Sequence, residues 1–130
     1  MKKNILVGVT SGIAIYKSLD LVSMLVKAGY EVNVVMTENA TKLINPLIFE
    51  TISQNKVHSD VFERDMDSEV KHIKLAKNAD CFIIAPLTAN TMAKIVHGIA
   101  DNLITNIVLA HTKKMILVPS MNVNMYENPV

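Results

Sequence analysis

Short apolar segments alternate with segments of helical periodicity along this entire sequence. Residues 80–86 are apolar on both faces, which is typical of a central strand in a parallel sheet. Strands that alternate with helices over short connections form parallel βαβ units with right-handed crossovers. The pattern predicts an α/β fold with a doubly wound parallel sheet, a flavodoxin-like or Rossmann-like three-layer α/β/α arrangement. The predicted strands span residues 3–9, 31–36, 80–86 and 115–119.

Helical periodicity is clear after the first predicted strand. Apolar side chains at three- and four-residue spacing predict a helix at 13–27, and Gly29 follows where a helix can end in the left-handed conformation. Asp101 stands where it is expected to cap the last helix. An edge strand is predicted at 56–62 and an acidic loop at 63–67. The other predicted helices span residues 37–43, 47–53, 68–78, 88–97 and 101–112.

The composition fits one globular domain. The chain has 130 residues, half of them hydrophobic, which provides a generous core or an apolar oligomer surface. No apolar run approaches the length of a transmembrane helix. The net charge of +1, with both signs mixed along the chain, predicts neither nucleic acid nor a membrane as partner. Cys81 is the only cysteine, which excludes an internal disulfide and predicts a cytoplasmic location.

A turn with hydroxyl groups and glycine follows the first predicted strand. The hydroxyls of Thr10 and Ser11, with the backbone N–H groups of Gly12 and Ile13 at a helix start, form a predicted phosphate site. The glycine spacing of a dinucleotide fingerprint and the lysine of a P-loop are both missing, and an ordinary helix cap is the alternative. Thr37 likewise offers a hydroxyl group at a helix start after the second predicted strand. Two such turns suit a mononucleotide such as FMN.

Two asparagine-bearing loops each follow an apolar run that ends in proline. Carboxyl ends of parallel strands meet at the edge where α/β sheets bind ligands. Amides and hydroxyls suit a hydrogen-bonding cofactor or a substrate carboxylate better than a metal. Helix capping by Thr88, or a subunit contact for the second loop, is the alternative. The first loop contains Thr88, Ala89, Asn90 and Thr91, and the second contains Asn122 and Met125.

His72 is the histidine with the most suggestive context. It lies early in a predicted helix, where the positive end of the helix dipole and the neighbouring Lys71 and Lys74 disfavour protonation. A neutral imidazole there can act as a base, and an inert surface histidine is the alternative. No two histidines have metal-ligand spacing and Cys81 lies in a predicted buried strand, so no metal site is predicted.

Four segments together resemble one family, the homo-oligomeric flavin-containing cysteine decarboxylases. The resemblance covers nearly the whole chain, and the motifs are most similar to those of members that decarboxylate 4'-phosphopantothenoylcysteine in coenzyme A biosynthesis. Each segment is weak alone, but the four in this order are specific. They span residues 9–17, 72–80, 85–102 and 119–125.

The resemblance implies roles for individual residues. His72 is implied as the catalytic base, and Asn122 as the group that binds the substrate carboxylate, with Asn90 assisting and Met125 lining the site. The implied reaction oxidises the cysteine CH₂–SH to a thioaldehyde, which then loses carbon dioxide to leave an ene-thiol. Electrons return from the flavin to give 4'-phosphopantetheine. FMN is implied to bind Ser11, Gly12, Ile13, Thr37, Thr88, Ala89, Asn90 and Thr91.

The family pattern also implies partners and a boundary. Family members are trimers or dodecamers with the flavin near a subunit boundary. In the family a flap beyond the second asparagine loop carries a cysteine that protonates the ene-thiol, and residues 1–130 do not contain it. We therefore expect residues 1–130 to be a flavoprotein domain truncated before the flap, with a phosphopantothenate–cysteine ligase as a fused or separate partner. Ser120 and Tyr126 stand where the family often has alanine and tryptophan.

Other functions share parts of this pattern. Peptidyl-cysteine decarboxylases stop at the ene-thiol and need no flap cysteine, whereas flavin prenyltransferases share the fold without the His72 motif. A non-catalytic FMN-binding regulatory subunit is an alternative of another class. A receiver-type signalling domain would need clustered acids at the end of the first strand, which residues 9–11 do not provide.

Overall fold

The computed structural model describes residues 2–62 and 70–130, and within them it contains one parallel sheet in the order β2-β1-β3-β4. The order places the switch point of the sheet between β1 and β3, where doubly wound sheets bind ligands. The predicted fold is therefore confirmed, with β3 in the interior of the sheet. The strands are β1 (Asn4–Val9), β2 (Glu31–Met36), β3 (Cys81–Leu87) and β4 (Lys114–Pro119).

Helices cover both faces of the sheet. One apolar core lies between the sheet and α1 and α3, and includes Val7, Val22 and Phe49. The other lies under α4 and α6, and includes Phe82 and Ile104. Alternate strand residues point to opposite faces, which explains why β3 is apolar throughout. Within the described residues the helices are α1 (Ile15–Lys27), α2 (Glu38–Thr41), α3 (Pro46–Ser53), α4 (Lys71–Asn78), α5 (Ala89–His97), α6 (Leu103–Ala110) and α7 (Val123–Tyr126).

The first helix ends at Gly29, as predicted. Gly29 has a φ of 95°, in the region that favours glycine, and its N–H donates to the carbonyl oxygen of Val26 at 3.0 Å. The N–H of Tyr30 donates to the carbonyl oxygen of Leu25 at 3.2 Å. These two bonds form a Schellman motif, which satisfies carbonyl groups in the last turn and sends the chain into β2.

The edge strand predicted at 56–62 is reduced to a single bridge. His58 pairs with Val35 in parallel, and its N–H donates to the carbonyl oxygen of Val34 at 3.1 Å. Two residues later, the carboxylate of Asp60 accepts a hydrogen bond from the N–H of Phe62 at 2.9 Å. This local turn competes with continued strand pairing, so the chain touches the edge of β2 at one point.

The last two predicted helices are shorter than expected. Asn102, not Asp101, caps α6: its Oδ1 accepts the N–H of Thr105 at 2.9 Å, and the Thr105 hydroxyl accepts the N–H of Asn102 at 3.1 Å. This capping box places Asp101 outside the helix.

The predicted acidic loop at 63–67 and the first two residues of the helix predicted at 68–78 lie outside the described residues, and α4 begins at Lys71.

No helix in residues 2–62 or 70–130 has both the length and the apolar character needed to cross a membrane.

Candidate functional site

A polar cavity of about 210 Å³ lies at the carboxyl edge of the sheet. Ser11 follows β1, Thr37 follows β2 and Thr88 follows β3, so three strand ends contribute to one wall. Because the cavity spans the ends of β1 and β3, it lies at the switch point of the sheet. The full lining comprises Ser11, Thr37, Glu38, Asn39, Thr88, Asn90, Thr91, Lys94, Asp101 and Asn102.

The structure brings five of the predicted cofactor-binding residues to this cavity: Ser11, Thr37, Thr88, Asn90 and Thr91. These residues provide hydroxyl groups and one carboxamide. The resulting surface can donate and accept hydrogen bonds, and it carries little charge. Such a surface suits a polar organic ligand with a phosphate group.

The other three predicted cofactor residues lie beside the cavity rather than in its lining. A β-carbon on Gly12 would lie 3.4 Å from Cγ of Pro86 and 3.9 Å from Cγ2 of Thr88. These are ordinary van der Waals distances, so the turn after β1 lies against the loop after β3 without requiring glycine at position 12. Ile13 projects into solvent with 91% of its surface exposed, and Ala89 opens α5 between two lining residues.

Two of the lining threonines also cap helices. The Thr37 hydroxyl accepts the N–H of Ala40 at 3.1 Å, and the Thr88 hydroxyl accepts the N–H of Thr91 at 3.2 Å. The capping alternative is thus correct for both residues. A hydroxyl group that accepts one hydrogen bond still has its own proton to donate, so capping by Thr37 is compatible with ligand binding.

The prediction that the Thr10 hydroxyl binds phosphate is wrong. Thr10 is only 1% exposed, and its hydroxyl donates to the carbonyl oxygen of Pro86 at 2.6 Å. The Thr10 hydroxyl oxygen also accepts the N–H of Thr88 at 3.0 Å. Side chains along a strand alternate between faces, so Thr10 points inward while Ser11 reaches the cavity.

Five lining residues were not predicted as site residues: Glu38, Asn39, Lys94, Asp101 and Asn102. The Lys94 ammonium lies 3.0 Å from Oδ1 and 3.1 Å from Oδ2 of Asp101, so the one cation among the described lining residues is paired with a lining carboxylate. Lys94 is four residues after Asn90 in α5. This four-residue spacing places both side chains on one face of a helix, so the sequence could have indicated that Lys94 lies near Asn90.

The predicted catalytic residues lie outside the lining of this cavity. His72 is in the first turn of α4, and its Nδ1 is buried without a hydrogen-bond partner in the described residues. An orphaned buried ring nitrogen is costly and calls for an explanation. Asn122 caps α7, with its Oδ1 accepting the N–H of Asn124 at 2.8 Å, and Met125 is 55% exposed.

A second cavity, of about 240 Å³, lies toward the amino end of β1 and includes Asn4, Asn33 and Lys71 in its lining. It is away from the carboxyl edge where the polar strand-end loops meet, so we assign the candidate function to the smaller cavity. Among the side chains that the structure describes, no group of three His, Cys, Asp or Glu residues could hold a metal ion.

Comparisons with known proteins identify relatives of this chain. The family model described as "Flavoprotein" matches residues 1–130. The chain is 46% identical over 132 residues to a probable phosphopantothenoylcysteine decarboxylase of Streptococcus mutans, covering 100% of this chain and 74% of that protein. It is 49% identical over 128 residues to the coenzyme A biosynthesis bifunctional protein CoaBC of Borreliella burgdorferi, covering 98% of this chain but only 33% of that protein.

Solved structures share the fold of this chain at lower sequence identity. The FMN-dependent cysteine decarboxylase SpaF superposes with a TM-score of 0.92 at 30% identity, covering 98% of this chain and 73% of that one. A mutant PPC decarboxylase complexed with pantothenoylaminoethenethiol superposes with a TM-score of 0.86 at 30% identity, covering 99% of this chain and 72% of that one.

Proposed function

Because this chain belongs to the Flavoprotein family, we propose that it is an FMN-dependent carboxy-lyase. Its reaction is the decarboxylation of 4'-phosphopantothenoylcysteine to 4'-phosphopantetheine in coenzyme A biosynthesis. One observation carries the proposal: the switch-point cavity collects Ser11, Thr37, Thr88, Asn90 and Thr91 from three separate strand ends. The names of the similar proteins support the choice of substrate.

The donor set of the cavity fits FMN. The hydroxyls of Ser11 and Thr37 suit the phosphate, together with the backbone N–H groups of the turn at Gly12 and Ile13. Asn90 offers both a donor and an acceptor to the polar edge of a flat ring. When bound, FMN supplies the two-electron oxidation of the substrate CH₂–SH to a thioaldehyde.

The size of the cavity supports a shared site. Pockets that enclose a drug-sized ligand span roughly 300–1,000 Å³, whereas this cavity measures about 210 Å³. One chain therefore encloses only part of FMN. We propose a homo-oligomer, a trimer or a dodecamer, in which a second copy completes the site. The exposed apolar side chains of Ile13 and Tyr16, next to the cavity residues in sequence, supply surface for that contact.

The substrate-handling residues in this proposal are His72, Asn122, Asn90 and Met125. His72 lies in the first turn of α4, and we propose it as the base because a neutral imidazole has an acceptor nitrogen for the thiol proton lost when C–SH becomes C=S. The Asn122 carboxamide has N–H groups for the substrate carboxylate while its oxygen caps α7. Asn90 assists from the cofactor side, and Met125 contributes a soft apolar wall.

Partners and location follow from the same proposal. Bifunctional proteins among the relatives support a second activity in the same pathway, for which we propose a phosphopantothenate–cysteine ligase, fused or separate. The chain spans 33% and 31% of the length of two such relatives. The pathway and the thiol of Cys81 both suit the cytoplasm.

The cofactor is tested by the absorption spectrum of the purified protein. We expect flavin bands in the protein as isolated, or after FMN is added and the excess removed. A colourless protein that does not bind added FMN would contradict the proposed function.

The substrate is tested by carbon dioxide release. A cysteine decarboxylase acting on peptides is the second candidate, since SpaF and the peptidyl-cysteine decarboxylase EpiD share this fold. Release from 4'-phosphopantothenoylcysteine but not from a C-terminal cysteine peptide supports the proposal, and the reverse result favours the second candidate.

The role of His72 is tested by His72→Asn. This variant should retain FMN but no longer release carbon dioxide, and unchanged turnover would remove His72 from its role.

A further inference from the structure

Residues 85–88 comprise the last three residues of β3 and the N-cap of α5, where strand pairing is irregular. The pairing of β1 with β3 ends at Gly8 and Ile84, and the pairing of β3 with β4 shifts register between Ile84 and Leu87. Here the carbonyl oxygen of Pro86 accepts a long hydrogen bond from the N–H of Thr10 at 3.4 Å, and the backbone groups of Ala85, Pro86 and Thr88 can take further partners from side chains. A buried backbone group without a partner would be costly.

Two buried hydroxyl groups supply these partners. The Thr10 hydroxyl donates to the carbonyl oxygen of Pro86 at 2.6 Å and accepts the N–H of Thr88 at 3.0 Å. The Ser18 hydroxyl, from α1, donates to the carbonyl oxygen of Ala85 at 2.7 Å. Both residues are buried, so these bonds are shielded from competition with water. Together they connect segments that are 67 to 78 residues apart in the sequence.

These bonds join the two loops that wall the cavity. Thr10 directly precedes Ser11, and Thr88 both lines the cavity and caps α5. The position of α5 determines where Asn90 and Thr91 stand relative to Ser11. We infer that Thr10 and Ser18 are positioning residues that set the spacing between the β1–α1 turn and the start of α5, and thereby the affinity for the flavin and the placement of its ring.

The inference rests on the proposed function, and its test is the binding of FMN to the full chain. Thr10→Val keeps the shape of the side chain but removes both hydrogen bonds. We expect FMN to bind about tenfold more weakly, as for the loss of a buried hydrogen-bond pair, and the visible circular dichroism of bound flavin to change. Thr10→Ser, which restores the hydroxyl, should recover both properties.

Ser53→Ala is the matched control for a general loss of stability. Ser53 is also buried, and its hydroxyl bonds to the backbone of Asn55, but it ends α3 away from the cavity lining. We expect Ser53→Ala to lower the melting temperature without changing FMN affinity. If Thr10→Val does not fold, Ser18→Ala takes its place, because it removes one hydrogen bond to the same segment. We expect Ser18→Ala to weaken FMN binding by about threefold to tenfold.

The outcomes separate this inference from the proposed function. Weaker FMN binding and an altered flavin signal in Thr10→Val, recovered in Thr10→Ser and unseen in Ser53→Ala, support it. Unchanged affinity and an unchanged signal in a folded Thr10→Val protein would overturn it while the proposed function stands. A wild-type chain that binds no FMN would reject the proposed function, and the inference with it.

Discussion

Buried polar side chains in this protein bind backbone groups of distant segments. His111 is an example beside Thr10 and Ser18: its Nδ1 lies 3.0 Å from the carbonyl oxygen of Ala76, and its Nε2 lies 2.9 Å from that of Lys114. The ring also meets Phe82 edge-on, with centroids 6.0 Å apart. One side chain thus joins the end of α4 to the start of β4. Such contacts fix loops that the sheet ladder does not hold.

Asp80 gives the stability of the fold a pH dependence. A hydrogen bond from the N–H of Asn4, at 2.8 Å, is the largest cause that lowers the pKa of Asp80, and the ammonium of Lys113 at 3.6 Å acts in the same direction. A pKa that is lower in the folded protein stabilises the fold above the unfolded pKa of about 3.9. This contribution is lost as the pH falls through the folded pKa.

We therefore expect Asp80→Asn to lower the free energy of unfolding near neutral pH, with a difference from wild type that shrinks in acid. Urea denaturation at about pH 7 and about pH 3 measures both values. Lys113→Met, which keeps the Asn4 hydrogen bond, should retain most of the pH dependence. An Asp80→Asn effect of equal size at both pH values would contradict this explanation.

Cys81 is expected to be unreactive in the folded protein. It opens β3 at 9% exposure, within the core under α1, and burial raises the pKa of its thiol. Since the thiolate is the nucleophile, a buried thiol with a raised pKa reacts slowly. Titration with a chromogenic disulfide should show slow labelling under native conditions and fast labelling in denaturant. Fast labelling of the native protein would show that this end of β3 opens readily.

At the scale of the elements, several helix starts are specified by a side chain just outside the helix, whereas α1 and α4 have no side-chain cap. Thr37, Thr88 and Asn102 cap helices that start at the cavity, whereas Asn45 caps α3 elsewhere. Each cap satisfies an N–H group that has no partner inside its helix. The caps at the cavity therefore position the backbone that faces a ligand, and the cap at α3 serves stability alone.

Asn45→Ala tests this distinction. The Asn45 side chain is exposed and accepts the N–H of Leu47 at 3.0 Å. Its removal should lower the free energy of unfolding by about 1 kcal/mol and leave FMN affinity unchanged. Asn45→Ser, which keeps a capping oxygen, should recover most of the stability. Weaker FMN binding in Asn45→Ala would show that α3 contributes to the site.

At the scale of the whole molecule, the sheet is covered unevenly. The inner strands are buried by helices on both faces, whereas Ile116, Leu117 and Val118 of β4 remain partly exposed. The short helix α7 after β4 adds the exposed side chains of Val123 and Tyr126. Exposed apolar side chains of this kind suit the homo-oligomer proposed above. Sedimentation velocity of the full chain measures the oligomeric state directly.

Binding of FMN should stabilise the whole domain. A ligand that binds only the folded state at a hundred times its Kd adds about 2.7 kcal/mol to the free energy of unfolding. We expect the melting temperature to rise with FMN concentration and to fall again when the cofactor is removed. Riboflavin, which lacks the phosphate assigned to Ser11 and Thr37, is the matched control and should stabilise less. Equal stabilisation by both would contradict the phosphate assignment.

Local patterns in the sequence predicted the four strands and the sheet edge that carries the candidate site, but not that the segment 56–62 makes only a single bridge. Periodicity is local, so the four strands and the Gly29 helix end were predictable from neighbouring residues. Ser11, Thr37 and Thr88 were predictable as cavity residues because the carboxyl ends of parallel strands meet at one edge whatever the strand order.

Contacts between residues that are far apart in the sequence depend on the tertiary structure. Pairing β1 with β3 turned the Thr10 hydroxyl toward Pro86 and away from the cavity, a contact across 76 residues that no local pattern encodes. The ion pair between Asp101 and Lys94 likewise depends on how the end of α5 lies against the start of α6, whereas the capping of α6 by Asn102 is a local contact with Thr105. Hydrogen-bond partners are selected by three-dimensional proximity and burial, and strand order determines both.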